Sequence, residues 1–173
     1  AESESTQHRL QLQRHAIDYA LERPIVGIGL GAYGFRLYEE DTEVAKMLNI
    51  LVDHFGWAPI HYGPHNVYLQ LAAETGFVGL AIMLFFILRS IRGSRVAARL
   101  WNKVGDPDMA RLARAVTVSL IVFLLCAVFL HALNQKIWWM IAVIGMTLAY
   151  AAHEAAAEAG VLDEPDEDVA DDR

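Results

Sequence analysis

Asn66, Gln70 and Glu74 fall at i, i+4 and i+8, so they would form one polar stripe along a helix that is otherwise apolar. Such a stripe inside a span faces a bundle interior or a water-filled cavity, where Glu74 would orient a partner helix or an arginine. His65 stands directly before the stripe. Histidine is largely neutral and basic near pH 7, which suits a general base; by position alone it equally fits an N-cap or an interfacial side chain. Arg9 and Arg14 lie upstream, and an arginine is always charged and can fork onto phosphate oxygens. The two are separated by about 140° round a helix, which makes Arg14 the weaker partner for a site that Arg9 faces.

Other groupings invite chemistry and are better read as structure. Gly29-Leu-Gly-Ala-Tyr-Gly34 fits the G-x-G-x-x-G dinucleotide fingerprint, with Asp53 downstream. That motif must follow a strand, whereas here a helix ended by Pro24 precedes it, so the glycines are expected to permit a tight loop. His54, His61 and His65 with Asp53 fit no zinc-ligand spacing well, and no metal is expected. Glu39, Glu40, Asp41 and Glu43 could suggest a glycosidase pair, but acids so closely spaced are more often a solvated face. His131 and Asn134 could line the same mouth as His65, although loop capping explains them as well.

These residues must be positioned by a chain of 173 residues, 55% hydrophobic, with a net charge of -7. The apolar content excludes a wholly disordered chain. A single cysteine, Cys126, excludes a disulfide-stapled domain, and the acidic balance disfavours a nucleic-acid binder. The mean hydropathy of +0.28 is high for so many charges because apolar and charged residues are segregated. Three runs are apolar enough to span a bilayer, at 67–88, 115–133 and 137–152. Between the first two, residues 89–114 hold seven bases and two acids, which makes that loop cytoplasmic by the positive-inside rule. A patch for nucleic acid or anionic lipid is the other reading of those bases, and topology explains them with less. Residues 1–66 and the turn 134–136 then lie outside, and the acidic tail 153–173 returns to the cytoplasm and is expected to be disordered.

Within 1–66, a helix is expected from Thr6 to Arg23, capped by Ser5 or Thr6, with Leu10, Ile17, Ala20 and Leu21 as its apolar residues. Pro24 ends it. A second helical stretch is expected from Tyr38 to Asp53, and a turn-rich run leads to His65. The fold class is therefore an all-α integral membrane protein, with three transmembrane helices preceded by a mostly helical outward loop segment, which the resemblance described next makes periplasmic.

Two blocks resemble the O-antigen ligase and polymerase superfamily of bacterial membrane glycosyltransferases. The first is Arg9, then Pro24, then Gly27-x-Gly29-x-Gly31-x-Tyr33. The second is His65-Asn66-x-Tyr68-Leu69, followed by Glu74-x-Gly76 and Gly79-Leu80. They cover about residues 5–90, and the later spans match in topology. Where the family usually has an aromatic four residues after the arginine, this chain has Gln13. The resemblance implies a multi-pass bacterial inner-membrane protein with its active site facing the periplasm. This chain would be the C-terminal part of a larger polytopic bundle.

The resemblance also implies the reaction: transfer of a glycan from an undecaprenyl-diphosphate carrier to an acceptor hydroxyl, inverting and without metal or cofactor. Lipid A-core or a growing polysaccharide would be the acceptor, in lipopolysaccharide or surface-polysaccharide biosynthesis, with membrane lipids as further partners and no nucleic acid. By the same resemblance His65 is the catalytic base and Arg9 binds the diphosphate, with Arg14 as a further candidate and Asn66, Gln70 and Glu74 in support. The rival from another class is a non-catalytic membrane component, such as a flippase or scaffold of polysaccharide export.

Overall fold

Residues 2–22 contain neither glycine nor proline and form one helix, α1 (Glu2–Glu22). It begins before Ser5 and Thr6, so neither residue starts it as a cap. The computed structural model describes residues 2–55, 62–129 and 136–162, and every regular element within them is a helix. After α1 come α2 (Tyr33–Glu40), α3 (Thr42–Phe55), α4 (Val67–Val104), α5 (Pro107–Cys126) and α6 (Lys136–Glu158).

The single helix expected from Tyr38 to Asp53 is two helices. Asp41 separates them with extended backbone, and its carboxylate accepts from the N–H of Glu43 at 3.0 Å and of Val44 at 3.1 Å. An aspartate so placed satisfies two donors of α3 that no helical carbonyl can reach.

The chain falls into two units, one of Ala1–Phe85 and Leu124–Gln135, the other of Phe86–Phe123 and Lys136–Arg173. The core of the first unit joins Leu12, Ala16 and Tyr19 of α1 to Tyr33 and Leu37 of α2, Val44 of α3 and Ala73 of α4. The face of α1 that points inward is thus not the one expected: Leu10, Ile17 and Leu21 are exposed, and of the expected set only Ala20 is buried. The tyrosines explain the choice. Tyr19 and Tyr33 meet edge to face at 5.8 Å, and the Tyr33 hydroxyl donates to the Leu12 carbonyl at 2.6 Å. Two rings buried with a satisfied hydroxyl bring more apolar area into the core than the aliphatic stripe would.

In the second unit the basic stretch 89–114 is helical apart from two residues. α4 continues through its arginines to Val104, Gly105 takes a positive φ of 86°, and Asp106 caps α5 by accepting from Asp108 N and Met109 N. Gly at a helix exit, an aspartate cap and Pro107 at the first helical position fit each other as a tight reversal. Helices α4 and α6 run side by side, with Phe86 against Trp139 and the Ser90 hydroxyl donating to the Ala142 carbonyl at 2.6 Å. α6 continues to Glu158, so the first residues of the stretch expected to be disordered are helical. His61, His131, Asn134 and residues 163–173 lie outside the described residues.

Three helices are long and apolar enough to cross a membrane: Val67–Val104, Pro107–Cys126 and Trp139–Glu158. The chain is a helical membrane protein.

Candidate active site

The glycine run does its work against α4. At Gly76 that helix is interrupted by backbone at φ 69°, ψ -177°. The carbonyls just before the break would lack helical donors. The glycine loop supplies them: Ile28 N donates to Ala73 O at 2.9 Å and Gly29 N to Glu74 O at 3.0 Å. Beyond the break, Phe77 N donates to Pro24 O at 2.7 Å. Contact is so close that a Cβ at Gly27 would fall on the backbone of Glu74 and Thr75, and one at Gly76 on that of Ile25 and Val26. Both glycines also hold φ of 69°, where an L side chain is strained.

Glu74 joins this contact through its side chain. It is 2% exposed, accepts from Gly31 N at 2.8 Å and from Gln70 Nε2 at 3.2 Å, and so ties the polar stripe of α4 to the glycine loop. Gln70 is equally buried. The stripe does face inward, as its spacing predicts, and the interior it faces is this loop.

His65 sits where the chain enters α4. Its φ is 52°, the single non-glycine positive value among the described residues. Histidine reaches the left-handed region more readily than most side chains, but holding it there still costs about 1–3 kcal/mol, which the contacts around it must offset. The chain is anchored on both sides of it. Pro64 before it is fully buried. After it, Asn66 caps α4 by accepting from Leu69 N at 3.0 Å, and Val67 N donates to Ala127 O at 2.9 Å. The Tyr68 hydroxyl adds a 2.6 Å bond to Leu124 O.

The ring of His65 is half-buried, and burial first, then the positive charges of Arg9 and His8, hold its pKa below the ordinary value of 6.5. The imidazole is therefore kept neutral, with a ring nitrogen able to accept a proton, although as a weaker base than an ordinary histidine. His8 is a residue that sequence reasoning passed over. It shares a 2.6 Å hydrogen bond with the Tyr62 hydroxyl, which joins α1 to the segment leading into His65. Burial, aided by the charge of Asp41, pushes Tyr62 up to about 12, so the phenol stays protonated.

The arginines of the first unit are not equivalent. Arg36 lies 4.8 Å over the Tyr19 ring and pairs with Glu22 at 2.6 Å and Glu40 at 2.8 Å. Its charge is spent on holding α2 to α1. Arg9 is exposed, forms no ion pair among the described residues, and extends the inward stripe of Leu12, Ala16 and Tyr19 toward His65. Arg14 is exposed and lies about 140° round α1 from Arg9. The fold thus brings Arg9, His65 and Asn66 to the entry of α4, sets Gln70 and Glu74 further along the same helix, and leaves Arg14 apart. Of the acids at 39–43, Glu40 pairs with Arg36 and Tyr19, Asp41 caps α3, Glu43 pairs with Lys46, and Glu39 is exposed.

A comparison with known protein families falls on these segments. The O-antigen ligase family profile matches residues 1–84, which include the glycine loop, His65 and the broken start of α4. A Rickettsia conorii protein provisionally named a polysaccharide ligase is 29% identical over 90 residues, covering 51% of this chain. The chain spans about a fifth of that relative's length, the matched share being 20%. No solved structure matches the chain significantly. Residues 1–84, the segment that carries the candidate site, are similar to the O-antigen ligase family.

Proposed function

We propose that this chain supplies the reacting groups of a glycosyltransferase. The enzyme moves a glycan from an undecaprenyl-diphosphate carrier to an acceptor hydroxyl at the periplasmic face of the bacterial inner membrane. The observation that carries the reading is His65, fixed in the left-handed region at the mouth of an apolar helix and held neutral beside Arg9.

The acceptor oxygen attacks the anomeric carbon while its proton passes to the His65 ring. The bond from that carbon to the diphosphate breaks, and the electron pair leaves with the phosphate oxygen. Diphosphate is a good leaving group, so charge stabilisation matters more than protonation. Arg9 meets the developing negative charge, and it does so best where water is partly excluded. Attack opposite the leaving group inverts the anomeric centre. A histidine base and arginine charge leave no step that requires a metal. Asn66 holds the entry to α4, and Gln70 and Glu74 hold the glycine loop against it. Arg14, on another side of α1, is left to contact a distal part of the donor. Lipid A-core or a growing polysaccharide is the acceptor, and the C-terminus lies in the cytoplasm.

The test is glycan transfer by the intact protein in liposomes containing polyprenyl-diphosphate donor, candidate acceptors and a chelator. His65→Asn is the informative variant, because asparagine also tolerates the left-handed region while lacking a base. Transfer is expected to fall about 10²–10⁴-fold at equal membrane levels. Unchanged transfer would remove His65 as the base. Absence of transfer by wild type with every acceptor would favour a flippase or scaffold role.

The pH profile supplies a second check. Lowering the folded pKa favours the neutral ring, so the acidic limb of kcat/KM is expected to have its midpoint below 6.5. The same shift makes the unfolded chain the better proton binder. The stability that His65 contributes is present above its unfolded pKa and is lost as pH falls through the lower folded value. A midpoint above 6.5 would contradict the environment described.

A further inference from the structure

The second unit contains a cavity of about 270 Å³ between α4 and α6 that the transfer reaction does not use. Arg89 and Arg92 line it from α4, and His153 from α6. Val96, Met146 and Ala149 form its apolar wall. The two helices can hold such a groove because they cross on small residues: Gly145 packs on the Ser90 and Ser94 hydroxyls, and Gly93 lies against Ala149. The larger side chains are thereby left to rim the crossing.

Among the described residues, no carboxylate answers the charges at this rim. Neither Arg89 nor Arg92 makes an ion pair among the described residues, and no carboxylate lines the cavity. The nearest acid in sequence, Glu154, accepts from the Tyr150 hydroxyl at 2.9 Å. His153 donates from Nδ1 to the Ala149 carbonyl at 2.7 Å, which fixes its tautomer and leaves Nε2 to act as a donor once the ring is protonated. The cavity also sits where apolar sequence gives way to basic sequence, with Leu88 and Val143 exposed just before it. Headgroups meet acyl chains at such a boundary, and basic pockets between helices at that level suit anionic lipid phosphates.

We infer that this groove is a binding site for an anionic phospholipid, whose phosphate sits between Arg89, Arg92 and His153 and whose acyl chain lies along Met146 and Val96. A volume near the lower end of ligand pockets, about 300–1,000 Å³, fits a headgroup rather than a whole lipid. The fork of arginine suits phosphate oxygens, and the apolar wall distinguishes a lipid from a free phosphate ion.

The experiment is native mass spectrometry of the full chain in mixed micelles, counting bound phosphatidylglycerol against phosphatidylcholine. Wild type is compared with R89Q/R92Q and with K103Q/R111Q, which removes the same charge elsewhere. Phosphatidylglycerol affinity is expected to fall about thirtyfold in the first pair and little in the second. R89K/R92K keeps the charge without the fork and is expected to fall in between; it serves as the readout if circular dichroism shows R89Q/R92Q misfolded. Equal loss in the two glutamine pairs, equal binding of phosphatidylcholine, or unaltered binding in R89K/R92K with a misfolded glutamine pair would overturn the site. Displacement of the lipid by millimolar inorganic phosphate would instead assign the cavity to a free phosphate ion and overturn the lipid reading.

Discussion

Helix α4 approaches a neighbour at van der Waals limits twice, and the two contacts are built differently. At Gly76 the partner is the backbone of the glycine loop, and main-chain hydrogen bonds are exchanged across a break in the helix. At Ser90 and Ser94 the helix is continuous, the partner is Gly145 of α6, and the close atoms are side-chain hydroxyls. A contact made of backbone has no rotamer with which to yield. A contact made of hydroxyls can adjust by rotation about one bond. The first arrangement suits a place where geometry must be fixed; the second suits ordinary helix association in a membrane, where small residues let helices approach closely.

Alanine at the glycines separates the two kinds of contact. Gly27→Ala is expected to be the most damaging, since its methyl meets backbone and its φ is positive; a loss above about 4 kcal/mol, or failure to fold, is expected in detergent unfolding assays. Gly145→Ala should cost less, about 1–3 kcal/mol, because Ser90 and Ser94 can turn aside. Gly105→Ala, also at positive φ but with no atom near its would-be methyl, should cost only about 1–2 kcal/mol. If Gly145→Ala proved as severe as Gly27→Ala, the distinction between rigid and adjustable contacts would fail.

The two regions were also unequally legible in the sequence. Three apolar runs and the basic stretch between the first two are linear signals, and each run falls on a described helix, although α5 ends at Cys126, before the expected end at 133. The helical state of residues 89–104 is hidden by a charge density that resembles a loop, although arginine and alanine favour helix. The stop at Pro24, the glycine loop and the inward stripe of Gln70 and Glu74 were readable one segment at a time.

What joins them was not. The Gly27–Gly76 contact and the His8–Tyr62 hydrogen bond link distant positions, and neither follows from local pattern. Leu10, Ile17 and Leu21 outrank tyrosine in hydrophobicity and so point to the wrong face of α1, whereas the fold buries Tyr19 and Tyr33, whose polar tips find partners. The left-handed backbone of His65 has no sequence signature beyond the tolerance of histidine for it.

The cap on the broken end of α4 also bears on biogenesis. Its donors, Ile28 and Gly29, precede its acceptors, Ala73 and Glu74, in the chain. During synthesis the loop emerges first, so the exposed carbonyls of the incoming span meet their partners on arrival. An apolar helix with open carbonyls at its break is poorly suited to a bilayer, where unsatisfied backbone is costly. Order of translation and order of satisfaction therefore coincide, and a circular permutant that made residues 67–104 before the loop would have to insert that helix without its cap.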